Sequence, residues 1–176
     1  YKNLGDLYYH LTVYYLKLLG NSSLPDDPNE VMEMGISDLS DITLDNGKGK
    51  SGASGILGVL TDDMVELIIK CIANTIEDGL NECPAHIGLL VLKIVLLHNY
   101  LSKKRGSTSD TGASEKARKE KDVNSFSLQQ DQQEKEFAKL QQECEKCCDR
   151  LLSLIPGHPF PYTILAEMKL AEGEIH

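Results

Sequence analysis

Apolar side chains recur every three or four residues along several stretches of this chain, the spacing of one face of an α-helix. The first such stretch covers residues 1–19. Gly20 ends it, and Pro25 and Pro28 prevent its continuation. The predicted apolar face consists of Leu4, Leu7, Tyr8, Leu11, Tyr14, Tyr15 and Leu18. The pattern therefore predicts a first helix that packs through this face.

Two further helices are predicted in the middle of the chain. Thr61 fits the N-cap of the first, carboxylates follow it in the first turns, and Gly79 is a natural C-terminal cap. Pro84 fits the first position of the next helix, which runs to about Ser102 and is apolar almost all round. A helix without a polar face must be covered on several sides. We therefore expect it to be central and to form an antiparallel pair with the helix before it.

The C-terminal part contains the longest predicted helix, residues 129–155, and a last helix, residues 162–172, which Gly173 ends. Two prolines in residues 156–159 separate them. The apolar face of the long helix consists of Phe137, Leu140, Cys144, Cys147, Cys148, Leu151 and Leu154. Because no sustained alternation of apolar and polar residues predicts a strand, the expected fold class is all-α.

The segments between these helices differ in composition. Residues 26–45 contain seven acidic residues and no basic one, and within them only residues 31–39 could form a short helix. Residues 47–58 are rich in Gly and Ser, which is typical of a flexible connector. The expected organisation is a helical region over 1–102 with an acidic and glycine-rich loop at about 21–60, a disordered basic insert at 103–125, and a second helical region over 126–176.

Composition narrows the classes of partner and compartment. The net charge of −9 argues against a chain-wide attraction to nucleic acid or anionic lipid. The most apolar run, residues 87–97, contains Lys93 and is shorter than the roughly 20 apolar residues of a bilayer span. Five cysteines, an odd number, favour a reducing compartment, the nucleus or the cytoplasm. Because the chain opens with Tyr1 directly in a helical pattern, we expect it to be part of a longer protein.

Two segments resemble the tetratricopeptide repeat family, whose repeats are pairs of helices. The first eight residues place an aromatic residue, a Leu-Gly pair and a Tyr at the family's spacing, in Tyr1-Lys2-Asn3-Leu4-Gly5-Asp6-Leu7-Tyr8. Near the C-terminus, Pro156 matches the repeat-closing proline, and Tyr162, Leu165, Ala166 and Gly173 match the next first helix. Lys169 and Leu151 depart from the pattern. The resemblance implies degenerate repeats, stacked as antiparallel helix pairs in an α-solenoid.

The same resemblance implies where a partner binds. In that family the first helix of each pair lines a concave groove, so Asn3, Asp6 and His10 would be exposed there, with Lys169 at the far end. Ile164 stands where the family's carboxylate clamp needs an asparagine, which disfavours recognition of a C-terminal tail. A peptide or a helix in the groove remains open.

Several short patterns are candidate chemical sites. Residues 47–51 resemble the end of a phosphate-binding loop, but Leu44 occupies the position of the required first glycine. Cys144, Cys147 and Cys148 supply at most half of a zinc site and fit small buried packing positions better. The histidines are scattered and the sequence places no nucleophile beside them. We therefore expect no catalytic residue, cofactor or metal.

The insert has the form of a bipartite nuclear-import signal, although a plain solubilising loop explains it equally well. Its two basic clusters are Lys103, Lys104 and Arg105, then Lys116, Arg118 and Lys119. An import receptor is accordingly a possible partner. The leading hypothesis is a non-catalytic protein–protein interaction scaffold within a larger multi-subunit assembly, without direct contacts to nucleic acid or membrane. The alternative is a helical accessory region of a large enzyme, such as a giant kinase or protease.

Overall fold

A computed structural model describes residues 3–44, 60–108 and 123–173, and these ranges contain helices and no strand. The helices are α1 (Leu4–Leu18), α2 (Ile36–Ser40), α3 (Asp62–Glu82), α4 (Ile87–Thr108), α5 (Val123–Leu154) and α6 (Pro159–Glu172), with a 3-10 turn at Glu30–Met32. The prediction of an all-α fold is therefore confirmed for this part of the chain. The predicted Gly/Ser connector at 47–58 lies outside the described residues.

Helix α4 is the centre of the fold. It contacts α1, α2, α3, α5 and the 3-10 turn, so neighbours cover it on several sides, as its apolar circumference predicts. Seven of its side chains expose 2% of their surface or less: Leu89, Leu90, Val91, Leu92, Ile94, Val95 and Leu101. These residues join the helices before and after the insert into a single hydrophobic core.

The predicted pairing of α3 with α4 is only a minor part of the packing. Helix α3 packs mainly on α1, and α4 packs mainly on α5, whereas α3 and α4 touch over a smaller area. The helix that precedes α4 in the sequence is not its main packing partner, because α4 is apolar on every side and packs against several helices.

Gly79 is a point of close helix approach and not a C-terminal cap, so that prediction was wrong. Helix α3 continues past it to Glu82. A Cβ atom added to Gly79 would lie 2.7 Å from Cδ1 of Leu89 on α4 and 2.7 Å from Cβ of Tyr8 on α1. Only a residue without a side chain lets these three helices meet at that distance.

Other element boundaries also differ from the predictions. Helix α4 begins at Ile87, so Pro84 lies in the turn between α3 and α4 and not, as predicted, at the first position of the helix. Helix α4 continues to Thr108 and α5 begins at Val123, so residues 103–108 and 123–125 of the predicted disordered insert are helical. The remainder of the insert lies outside the described part of the chain.

The segment expected to be an acidic loop is packed onto the core over residues 21–44. Its Leu24, Val31, Leu39 and Ile42 are buried. Two asparagine amides also hold its backbone: Asn21 bonds with the Leu16 carbonyl and with both backbone groups of Thr43, and Asn99 of α4 donates to the Leu39 and Ile42 carbonyls. Since the apolar residues turn inward, the carboxylates that dominate the composition remain at the surface.

The C-terminal helices follow their predicted patterns closely. Cys144, Cys147, Cys148 and Leu151 of α5 are buried, whereas Leu154, expected on the same face, is exposed. Helix α6 begins at Pro159, three residues earlier than predicted, and His158 accepts the Phe160 N–H as its N-cap. Gly173 ends α6 in the left-handed conformation with φ of 72°, as expected for a C-terminal cap.

Candidate interaction surfaces

A cleft of about 500 Å³ lies between the N-terminal end of α1 and the turn that joins α3 to α4. Its lining includes Asn3 and Asp6, two of the four residues predicted to face a groove. The other lining residues are Pro28, Asn29, Cys83, Pro84, Ala85, His86, Ile87 and Gly88. The other two predicted groove residues, His10 and Lys169, do not line this cleft.

Asp6 is engaged in a contact between helices and is largely buried. Its Oδ1 lies 3.0 Å from Nε2 of His86, and the two side chains are 14% and 9% exposed. The Leu89 N–H donates to Nδ1 of the same ring at 3.2 Å. Nε2 therefore carries the proton that it donates to Asp6. His86 thus caps α4 and ties it to α1, and neither ring nitrogen is left to act as a base.

The remaining predicted groove residues have different environments. Asn3 is the N-cap of α1 and accepts the Asp6 N–H at 2.9 Å. His10 is half-buried, and its Nδ1 lies 2.6 Å from the Asp6 carbonyl oxygen. Lys169 is exposed on α6, whose main contact is α5. Of the predicted groove residues on α1, Asn3 is exposed, whereas Asp6 and His10 are only partly exposed. Sequence reasoning missed that His86 lies beside Asp6.

The apolar face predicted for α1 is in part an exposed face. The buried side of α1 consists of Gly5, Tyr9, Thr12, Val13 and Leu16. Leu4, Leu7, Leu11 and Tyr14 of the predicted face expose between 39% and 58% of their surface. Met64 and Leu67 of α3 are exposed as well. We call these six residues the outer face. Since α1 is apolar on two sides, its sequence pattern did not show which side is buried.

The three neighbouring cysteines of α5 are packing residues, as predicted. All five cysteines are free thiols. Burial raises the pKa of Cys147, and a hydrogen bond to Cys144 together with burial raises the pKa of Cys148. Within the described ranges, no group of three or more His, Cys, Asp or Glu side chains is arranged to hold a metal ion. Thiols in this state are poor nucleophiles, because the thiolate is the reactive form.

Part of the predicted import signal belongs to the packed end of α4. The Arg105 guanidinium lies 5.2 Å from the centre of the Phe137 ring of α5 and donates to Gln141 Oε1 at 3.1 Å. Lys104 stacks over Tyr100 of the same helix. Lys103 is exposed on α4. The second cluster, Lys116, Arg118 and Lys119, lies outside the described residues.

Charged contacts join α4 to three other helices. Lys93 Nζ lies 2.5 Å from Glu77 of α3 and 2.6 Å from Glu143 of α5. Burial lowers the pKa of Lys93, but the hydrogen bonds to Glu143 and Glu77 outweigh burial and hold the pKa above its ordinary value. His98 Nε2 lies 3.0 Å from Glu167 of α6. Burial lowers the pKa of His98, and the Glu167 carboxylate offsets only part of that effect.

Comparisons with known proteins identify no relative: no family model, curated protein or solved structure matches this chain. None of the helices in the described ranges is both long enough and apolar enough to cross a membrane.

Proposed function

We propose that this chain is a non-catalytic protein–protein interaction scaffold, a segment of antiparallel helix pairs stacked in the manner of tetratricopeptide repeats within a larger multi-subunit assembly. The outer face carries this proposal. Monomeric proteins rarely leave a continuous apolar stripe in water, and such a patch is typical of a surface that another protein covers.

The packing order supports a stacked arrangement. Helix α1 packs mainly on α3, and α4 packs mainly on α5. The N-terminal end of α1 lies beside the C-terminal end of α3, as the contact of Tyr8 with Gly79 and that of Gly5 with His86 require. In a solenoid each helix pair buries apolar surface against its neighbours, and a terminal pair needs a polar outer side to remain in water. The outward side of α1, with exposed Leu4, Leu7, Leu11 and Tyr14, is instead apolar.

The chemistry of the described part supports a non-catalytic role. Both ring nitrogens of His86 are engaged, so the one His–carboxylate contact in the cleft acts as a structural link. Cys147 and Cys148 are buried with raised pKa values, which disfavours the thiolate. Free thiols are typical of proteins of the nucleus and the cytoplasm. The basic clusters of the insert are in keeping with an import receptor as one partner.

Site-specific photocrosslinking in cells tests the proposal. A photoreactive phenylalanine analogue replaces Leu11 of the outer face, and in a matched control it replaces Gln132, an exposed polar position on α5. We expect a discrete crosslinked protein at position 11 and none at position 132. If neither position, nor position 7, gives a discrete adduct, the scaffold role of this surface is wrong.

A further inference from the structure

We infer that the outer face binds an amphipathic α-helix that carries lysine or arginine along one edge of its apolar stripe. This inference rests on the proposed function and names the class of partner. Three properties of the outer face support it: the spacing of the apolar residues, their position relative to α4, and the charges beside them.

The exposed residues of α1 follow the spacing of a coiled-coil seam. Leu4, Leu7, Leu11 and Tyr14 are separated by three, four and three residues, and half-buried Leu18 continues the series at four. Such alternation is the heptad pattern by which one helix packs along another at a small crossing angle. A helix laid along α1 fits this pattern, whereas a strand, with its period of two, does not.

Both parts of the outer face point away from the centre of the fold. On α1, Tyr9 contacts Gly88 of α4, and the stripe lies on the opposite side of that helix. On α3, helical periodicity places Leu67 opposite the buried Ile72 and Ile76, with Met64 at the border of that exposed side. Because Tyr8 of α1 abuts Gly79 of α3, the exposed sides of the two helices are neighbours.

The charges beside this surface are negative. Asp63 precedes Leu67 by one helical turn and Asp78 follows it by three turns, so both share its side of α3, and Glu82 lies one turn beyond Asp78. All three carboxylates are exposed. Among the described residues, two nearby bases are held by other acids: Lys70 by Glu66 and Lys17 by Asp26. An occupant with basic residues along this edge is therefore electrostatically complementary.

The same charges disfavour a second copy of this chain as the occupant. A second copy would present the same carboxylates, and the chain carries a net charge of −9. Like charges brought together across an interface are repulsive. The surface therefore discriminates against self-association while it favours a basic partner helix.

Fluorescence anisotropy with synthetic helices tests the inference. The probe is a labelled peptide of about three heptads with Leu at the a and d positions and Lys at e and g. One comparison peptide carries Glu at e and g, and another has the probe's composition in a scrambled order. We expect the probe to bind at least about tenfold more tightly than either. We expect the Asp78→Lys, Glu82→Lys double variant to reverse the preference toward the Glu peptide.

Variants of the outer face separate apolar recognition from general charge attraction. Leu7→Glu with Leu11→Glu adds negative charge, so non-specific attraction of the probe would rise. We expect instead that affinity falls at least about tenfold, because the apolar seam is interrupted. Leu170→Glu on α6, a leucine that is 60% exposed and lies outside the outer face, is the control and should leave affinity unchanged. Circular dichroism confirms that each variant retains its helices.

Four outcomes overturn the inference. Equal binding of the probe and the scrambled peptide would show charge attraction alone. Undiminished binding by the Leu7, Leu11 double variant would place the peptide elsewhere. Concentration-dependent dimerisation that Leu11→Glu abolishes would assign the surface to a second copy. If position 11 crosslinks to a partner in cells while the basic helix fails to bind, only this inference falls and the scaffold role stands.

Discussion

The two sides of α4 are packed by different means. On the side of α1 and α3, glycines bring the elements close: a Cβ on Gly5, Gly79 or Gly88 would lie under 3 Å from a neighbouring side chain. On the side of α5, side chains of moderate size such as Cys144 and Cys148 fill the interface. The first arrangement leaves no room for added atoms, whereas the second tolerates some change of volume.

The histidines on the two sides of α4 also make different contacts. His86 joins α4 to α1 through Asp6 and caps α4 with its other nitrogen. His158 caps α6 with Nδ1, and His98 joins α4 to α6 through a half-exposed glutamate. The contacts at the α1 end are therefore more deeply buried, and their loss should cost more free energy.

The largest expected effect comes from filling the glycine contact. Gly79→Leu should lower the free energy of unfolding by about 3 kcal/mol, because the new side chain overlaps Leu89 and Tyr8. Gly106→Leu is the matched control: nothing lies near its Cβ, so helix propensity should raise stability by up to about 1 kcal/mol. Urea unfolding monitored by circular dichroism compares the two. Equal shifts would show that the close approach is not a steric limit.

The two histidine caps should differ in strength. His86→Ala removes both the N-cap of α4 and the bond to Asp6, and we expect a loss of about 2 kcal/mol. His158→Ala removes only the cap of α6 and should cost about 1 kcal/mol. The measurement is again the free energy of unfolding. A larger loss of unfolding free energy for His158→Ala would contradict the expectation that the contacts at the α1 end contribute more stability.

The His98 contact predicts a pH dependence. Since the folded-state pKa of His98 lies below its ordinary value of 6.5, the unfolded chain binds the proton more readily. The stabilising effect of the neutral ring is present above pH 6.5 and is lost as the pH falls below it. His98→Gln should therefore lose less stability between pH 7 and pH 5 than the unchanged chain. Identical losses in the two proteins would refute this assignment.

The smallest effect on stability is expected at the outer face. Leu7→Glu should change the free energy of unfolding by no more than about 0.5 kcal/mol, because Leu7 packs little against the rest of the chain. The matched buried position on the same helix is Leu16, where Leu16→Ala should cost about 3 kcal/mol. A large loss at Leu7 would mean that the outer face belongs to the core.

Local sequence patterns predicted where the helices lie better than they predicted which helices pack against each other. Thr61 as an N-cap, Gly173 as a C-terminal cap and the buried thiols of α5 were all readable, because each depends on residues within one or two turns. The role of Gly79 was misread, since its contacts come from Tyr8 and Leu89, on two other helices. For the cleft, the sequence analysis named Asn3 and Asp6 but not His86, because His86 lies eighty positions from Asp6.

The amino-acid pattern alone determined that this chain is helical, that α4 is central, and that carboxylates dominate its surface, because periodicity and charge are properties of each segment by itself. Only the tertiary structure decided which side of α1 is buried. Both sides carry enough apolar surface to form a core, and the choice depended on where the glycines of α3 and α4 allow close contact. That choice left Leu4, Leu7, Leu11 and Tyr14 at the surface.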